Sequence, residues 1–264
     1  MSMYSKEHKI YLKKIRQQKI AIRFAQITII ISSIGLWELA GTYHWINTFI
    51  TSQPSAIKDT ILSLYQTNNL WPHIFTTIYE TIISFSIGTS IGFVIAILMW
   101  AYTPLAKIID PYLTILNSLP KVALGPILVI WMGANQKSII AMALFISVII
   151  TIMQVHNGFD QTDPDKIKLM HSLGASKRQI FMKVVFPESI PTFISSLKIN
   201  ISMSLIGVIT GEFLVSKAGL GYLIMYGSQV FNLDLVMSGI FLLCLVATIL
   251  YYAIYFFERM LVKY

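Results

Sequence analysis

DPDKIKLMHSLGASKRQIFMKVVFP, running from Asp163 to Pro187, is the one long, strongly charged stretch enclosed between apolar runs. Its chemistry predicts two short helices meeting at a hinge. Asp163 can cap a helix whose first residue is Pro164, and Gly174 suits the left-handed residue that ends it. Ser176 with Gln179 three residues on forms a capping box for the second helix, which Pro187 is expected to stop. Lys166, Lys168, Lys177, Arg178 and Lys183 give the stretch a basic balance, which marks it as cytoplasmic if the flanking runs cross a membrane.

The composition says that they do. The 264-residue chain is 55% hydrophobic and 12% charged, with a mean hydropathy of +0.68, whereas soluble domains carry about 25% charged residues. A membrane-crossing helix needs roughly 20 apolar residues, and six candidate spans follow, at about 22–40, 75–101, 106–132, 138–156, 189–213 and 233–257. The apolar runs are continuous, where the strands of a membrane barrel would alternate. The fold class is therefore an all-α integral membrane bundle of about six transmembrane helices. Its expected organisation is a basic cytoplasmic segment over 1–21 and a single transmembrane domain over 22–264, with the charged loop at 157–188.

Charge fixes the orientation. With the amino terminus inside, the inner side holds Lys6, Lys9, Lys13, Lys14, Arg16, Lys19, Arg23, Lys107, the five loop cations, Arg259 and Lys263, against Lys58, Lys137 and Lys217 outside. Both termini are thus expected to be cytoplasmic. The net charge of +8 is concentrated at helix ends, which fits anionic lipid rather than nucleic acid. The first apolar run lacks a small-x-small cleavage signal before Trp37 and Glu38 and reads as an uncleaved helix. The lone Cys244 can form no internal disulfide, and the five histidines lack ligand spacing, so no metal site is expected. The chain also lacks a GxxxxGK[ST] phosphate loop. It reads as a non-enzyme, and any ATP hydrolysis would come from another subunit.

The charged stretch resembles the cytoplasmic coupling loop of binding-protein-dependent ABC importer permeases. That family's pattern is Glu-Ala-Ala, three residues, Gly, nine residues, Ile-x-Leu-Pro. Here Gly174 is followed nine residues later by Val184-Val185-Phe186-Pro187, while Lys168, Leu169 and Met170 stand in the Glu-Ala-Ala places. Ser172-Leu173-Gly174-Ala175-Ser176 is similar to the nitrate/sulfonate/taurine branch. The resemblance extends from about Pro54 to the carboxyl terminus. It includes Leu124–Gly133 (LGPILVIWMG) and Gly211–Ile224 (GEFLVSKAGLGYLI).

The resemblance implies a MetI-like permease fold in a bacterial plasma membrane and alternating-access transport of a small anionic solute. It also implies two copies of an ATPase subunit carrying ATP and Mg, a second permease copy as a homodimer, and an external solute-binding protein. The chain itself would bind no cofactor. A gradient-driven secondary transporter is the alternative, although only one span is interrupted and no intramembrane acidic relay is evident.

Several residues carry sharper expectations. Ser84, Gly88, Gly92 and Ala96 put a small residue at every fourth position of the second span, a ridge suited to close helix packing. The third span is expected to begin after Asp110-Pro111 and to be broken at Pro120 and Pro126, a backbone tolerated where it faces protein or a water-filled cavity. Lys121, midway along that span, needs water or an acidic partner, for which Glu80 and Glu212 are the candidates. These five positions, Glu80, Pro120, Lys121, Pro126 and Glu212, are the candidates for the translocation path. Residues from Pro54 to about Thr67 read as an amphipathic external helix, and Gly219, Gly221 and Gly227 as a turn between the last two spans.

Overall fold

The computed structural model describes residues 6–261; residues 1–5 of the basic segment and Lys263 lie outside them. Among the described residues every regular element is helical: α1 (Lys6–Thr42), α2 (Thr48–Thr51), α3 (Pro54–Gln66), α4 (Leu70–Ala101), α5 (Thr103–Ser118), α6 (Gly125–Met132), α7 (Gln136–Asp160), α8 (Pro164–Ser172), α9 (Lys177–Ile180), α10 (Phe186–Val215), α11 (Leu220–Gln229) and α12 (Leu233–Leu261). In hydrocarbon a backbone must satisfy its own hydrogen bonds, so runs rich in Ile and Val become helices despite their strand preference.

Among the described residues five helices are long and apolar enough to cross a membrane, and α5 with α6 supplies a sixth if the bent pair counts as one span. The first span starts earlier than its apolar run does, because the basic residues before position 22 continue the same helix.

α4, α7 and α10 form the centre. Ser84, Gly88, Gly92 and Ala96 are all buried. A Cβ on Gly92 would stand 2.6 Å from the Cβ of Thr151, and one on Gly88 would press on Ser147, so the ridge of α4 lies against α7. Gly207 and Gly211 of α10 meet Ala143 and Ile139 of α7 in the same manner. Small residues let backbones approach closely where no hydrophobic force drives helices together. α3 turns Ile57 inward, and its carbonyl accepts from Ser238 of α12. Glu38 of α1 accepts from the Ser55 amide at the start of α3.

Three expectations need correction. α5 begins at Thr103, with Pro104 in its first turn, so Asp110-Pro111 lies inside a helix instead of opening one. The chain then breaks: Leu119 is extended, as a residue before proline prefers, and a 3-10 turn over Lys121–Leu124 leads into α6 at 88° to α5. Nor does Pro187 stop its helix. A π turn over Phe181–Val185, closed by the Phe186 amide on the Phe181 carbonyl, widens the backbone just before the proline. That widening accommodates a ring which would otherwise strike the preceding turn. Lys177–Val215 is consequently one rod of 39 residues. Finally, only Gly219 of the three late glycines sits in the turn; Gly221 and Gly227 belong to α11.

Candidate functional site

At one end of the bundle lies the charged loop. Asp163 accepts from the Asp165 amide at 2.9 Å and caps α8. After Leu173, Gly174 takes φ +75°, while its amide donates to His171 and that of Ala175 to Met170. Ser176 and Gln179 form a reciprocal capping box at the start of α9.

Ile167, Met170 and Ala175 face inward onto a pad of Phe93, Trp100, Phe159, Phe181, Phe186 and Phe193. Leu169 and Leu173 face outward, 60% and 72% exposed. Lys166 pairs with Glu188 at 2.9 Å; that hydrogen bond, and then the carboxylate's charge, raise the lysine above its ordinary value. Lys168 pairs with Asp165, and the Lys177 ammonium reaches the carbonyl of Ala101 at the end of α4. The loop is thus a hinged plate that lays apolar residues on an aromatic pad, shows Leu169 and Leu173 among charged residues on its outer side, and runs on through α9 into α10.

At the opposite end α4, α10 and α11 meet through buried polar groups. Glu212 accepts from the Thr77 hydroxyl at 2.7 Å and from the Gly221 amide at 2.6 Å. Thr77 in turn accepts from the Leu220 amide, and the His73 Nδ1 from the Gly219 amide. Gly219 has φ +115°, and a Cβ there would run into the Glu212 carboxyl. The left-handed turn therefore lets the Glu212 carboxyl reach the Gly221 amide while the Gly219 and Leu220 amides turn to His73 and Thr77. Glu80 lies alongside, 1% exposed like Glu212, with its carboxyl against the Gln136 carboxamide and the Glu212 carboxyl.

The path candidates therefore separate. Glu80 and Glu212 come together, but Lys121 partners neither of them: its ammonium donates to Asn117 at 2.8 Å, one turn back on α5. The 88° break carries Pro120 and Lys121 away from the straight course on which a shared face with the acids depends. Lys198, also within a span, pairs instead with Glu258 at 2.5 Å and lies over the Tyr255 ring.

Sequence reasoning missed Thr77, His73 and Gln136. A signal for Thr77 existed, since Thr77, Glu80, Thr81 and Ser84 extend the ridge of α4 as a stripe of buried polar residues. Nothing local points to His73 or Gln136.

Comparison with known proteins agrees with this architecture. Residues 88–263 match the model of a family described as binding-protein-dependent transport system inner membrane component. The chain is 25% identical over 234 residues to the putative aliphatic sulfonates transport permease protein SsuC of Bacillus subtilis (strain 168), covering 88% of this chain and 84% of that protein. It is 22% identical over 237 residues to the taurine transport system permease protein TauC of Escherichia coli (strain K12), covering 85% of each. Among solved structures, an inward-facing MetNI methionine ABC transporter chain superposes with a TM-score of 0.64 at 18% identity, covering 74% of this chain and 98% of that one.

Proposed function

Because the chain belongs to the family of binding-protein-dependent transport system inner membrane components, we propose that this ABC importer permease subunit is driven by separate ATPase subunits that grip the loop around Gly174. One observation carries the reading. The plate formed by α8 and α9 offers Leu169 and Leu173 outward, and it is joined without interruption to the 39-residue rod whose far end bears Glu212. A partner that moves the plate thereby moves the opposite end of the bundle.

The working unit in this reading is a pair of permease copies with two ATPases that bind ATP and Mg, and a solute-binding protein delivering cargo from outside. The 157–188 loop and both termini are cytoplasmic. Closure of the ATPases would turn the bundle from inward-facing to outward-facing, with the bent α5–α6 pair and the Glu80–Glu212 region bordering the path. Kinship with permeases named for sulfonates and taurine favours a small solute with an anionic group.

The test is purification in mild detergent, with mass spectrometry of the partners and ATP-driven uptake after reconstitution. The native chain should bring down an ATPase and support uptake coupled to hydrolysis. Gly174→Val should insert normally but lose the coupling, since a β-branched residue opposes φ +75°. Recovery of the chain alone, with uptake driven by an ion gradient, would replace this reading with a secondary transporter.

A further inference from the structure

The first span stands apart from the rest of the bundle. No residue in the most apolar stretch of α1 is buried, and its tie to the body is the hydrogen bond from the Ser55 amide of α3 to the Glu38 carboxylate. Beside that bond the helices part around a groove of about 480 Å³. Ile34 and Trp37 of α1 form one wall, Ile57, Ile61 and Leu62 of α3 the second, and Phe241 of α12 the third. The one charged side chain on its lining is Lys58 of α3. That lysine is exposed and, among the described residues, makes no ion pair.

Such a groove is costly to leave empty or wet. Walls without partner atoms forfeit their dispersion contacts, and water needs polar partners that these side chains lack. A second copy of the chain fits poorly, because a two-fold contact centred here sets one concavity against another and leaves space that protein interfaces fill. A hydrocarbon chain can follow the groove, and the free ammonium beside it calls for an anion on the same molecule. The nearest acids do not take that place: Glu38 is engaged by the Ser55 amide, and Asp59, the next residue, lies roughly 100° further round the helix. Tryptophan favours the headgroup level of a bilayer, which sets Trp37 and Lys58 where the head and tail of a lipid join.

We propose that the groove between α1, α3 and α12 is a specific site for an anionic phospholipid, with an acyl chain against Ile34, Trp37 and Phe241 and the headgroup phosphate on Lys58. The lipid fills the space that separates α1 from α12, so the first span is held in place by lipid as well as by protein. The inference does not depend on which solute the chain carries or on what drives it.

The experiment places the chain with its copurified partners in nanodiscs of phosphatidylcholine. Phosphatidylglycerol with brominated acyl chains, which quench a tryptophan on contact, is then added in small steps. The difference between the native chain and Trp37→Phe isolates the signal of Trp37. Its quenching should saturate at a low mole fraction of brominated phosphatidylglycerol, whereas phosphatidylcholine with the same chains should quench only in proportion to its abundance. Lys58→Met should raise the mole fraction needed about fivefold, the worth of one lysine near anionic lipid, and Lys58→Arg should restore it. Lys107→Met, which removes an exposed cation outside the groove, should change nothing. Trp37→Phe keeps an aromatic ring and Lys58 is exposed, so neither change should disturb folding.

Equal quenching by the two lipids at every mole fraction would mean that the groove holds bulk lipid alone, and would overturn the site. An unchanged response in Lys58→Met would overturn it as well, by removing the headgroup contact. Absence of quenching by either lipid would show that protein closes the groove, a second copy of the chain included, and would replace the lipid with that partner.

Discussion

Gly174 and Gly219 are two left-handed glycines at opposite ends of the same molecule, and they differ in what surrounds them. A Cβ at Gly174 would meet nothing within 4 Å, so only its φ of +75° demands glycine. A Cβ at Gly219 would drive into the Glu212 carboxyl and break a buried knot of Thr77, Gly221, Leu220 and His73. The first is a hinge held by backbone conformation and short-range caps, with its outward residues exposed. The second is a joint held by buried hydrogen bonds between helices. The loop end is thus suited to being gripped and moved, and the far end to transmitting that motion without slack.

The largest effect should follow from cutting the knot. Glu212→Ala removes the acceptor of the Thr77 hydroxyl and of the Gly221 amide, and two buried donors left without partners cost about 2–6 kcal/mol together. A sharp fall in the thermal stability of the detergent-solubilised chain is expected; retention of the native midpoint would show that the knot is not closed in the membrane. The two glycines give the paired test. Gly219→Ala adds a collision to its backbone strain and should cost about 2 kcal/mol or more, whereas Gly174→Ala should cost about 1 kcal/mol. If the order reversed in the same thermal assay, the contrast between a packed joint and an open hinge would fail.

The hinge is also the half that the sequence displays. Asp163, Pro164, Gly174, Ser176 and Gln179 act over one to four residues, so their caps can be read from spacing. The knot joins positions 73 and 77 to 212 and 219–221, a set that only the packing of three helices assembles. Sequence singles out Glu80 and Glu212 as unusual acids in apolar helices, yet it suggests Lys121 as their partner because a straight third span would keep that lysine at their depth. The 88° bend cancels the premise. Pro187 misleads for a related reason: whether a proline ends a helix depends on a π turn whose residues, Phe181–Val185, carry no distinctive pattern. Hydropathy likewise places the start of the fifth span near 189, blind to a helix that runs on through charged residues from Lys177.

A smaller change sharpens the hinge itself. Ser176→Ala removes the side-chain acceptor of the Gln179 amide and should cost about 1 kcal/mol locally. Gln179→Ala breaks the other half of the same box, so the double variant should cost less than the two singles combined. Hydrogen exchange at the α9 amides, measured for all three, reads this directly. Full additivity would mean that the two bonds form independently and that the box is not a unit.

The smallest effect belongs to the pair of Lys166 and Glu188, which ties α8 to α10 across the hinge. Lys166 is raised above its ordinary value by its hydrogen bond to Glu188 and then by that group's charge. A cation whose folded-state value is raised contributes its stabilisation below the unfolded lysine range, about 10.4, and loses it as the pH climbs through the higher folded value. Glu188→Gln should therefore lower the thermal midpoint only slightly near neutral pH, and the difference from the native chain should vanish in strongly alkaline buffer. Molar salt should erase it too, because the lysine is open to solvent and its Coulomb attraction is screened within a few ångströms. A difference that survived both treatments would mean that Glu188 packs rather than pairs. The hinge would then share the buried, close-fitted character of the opposite end.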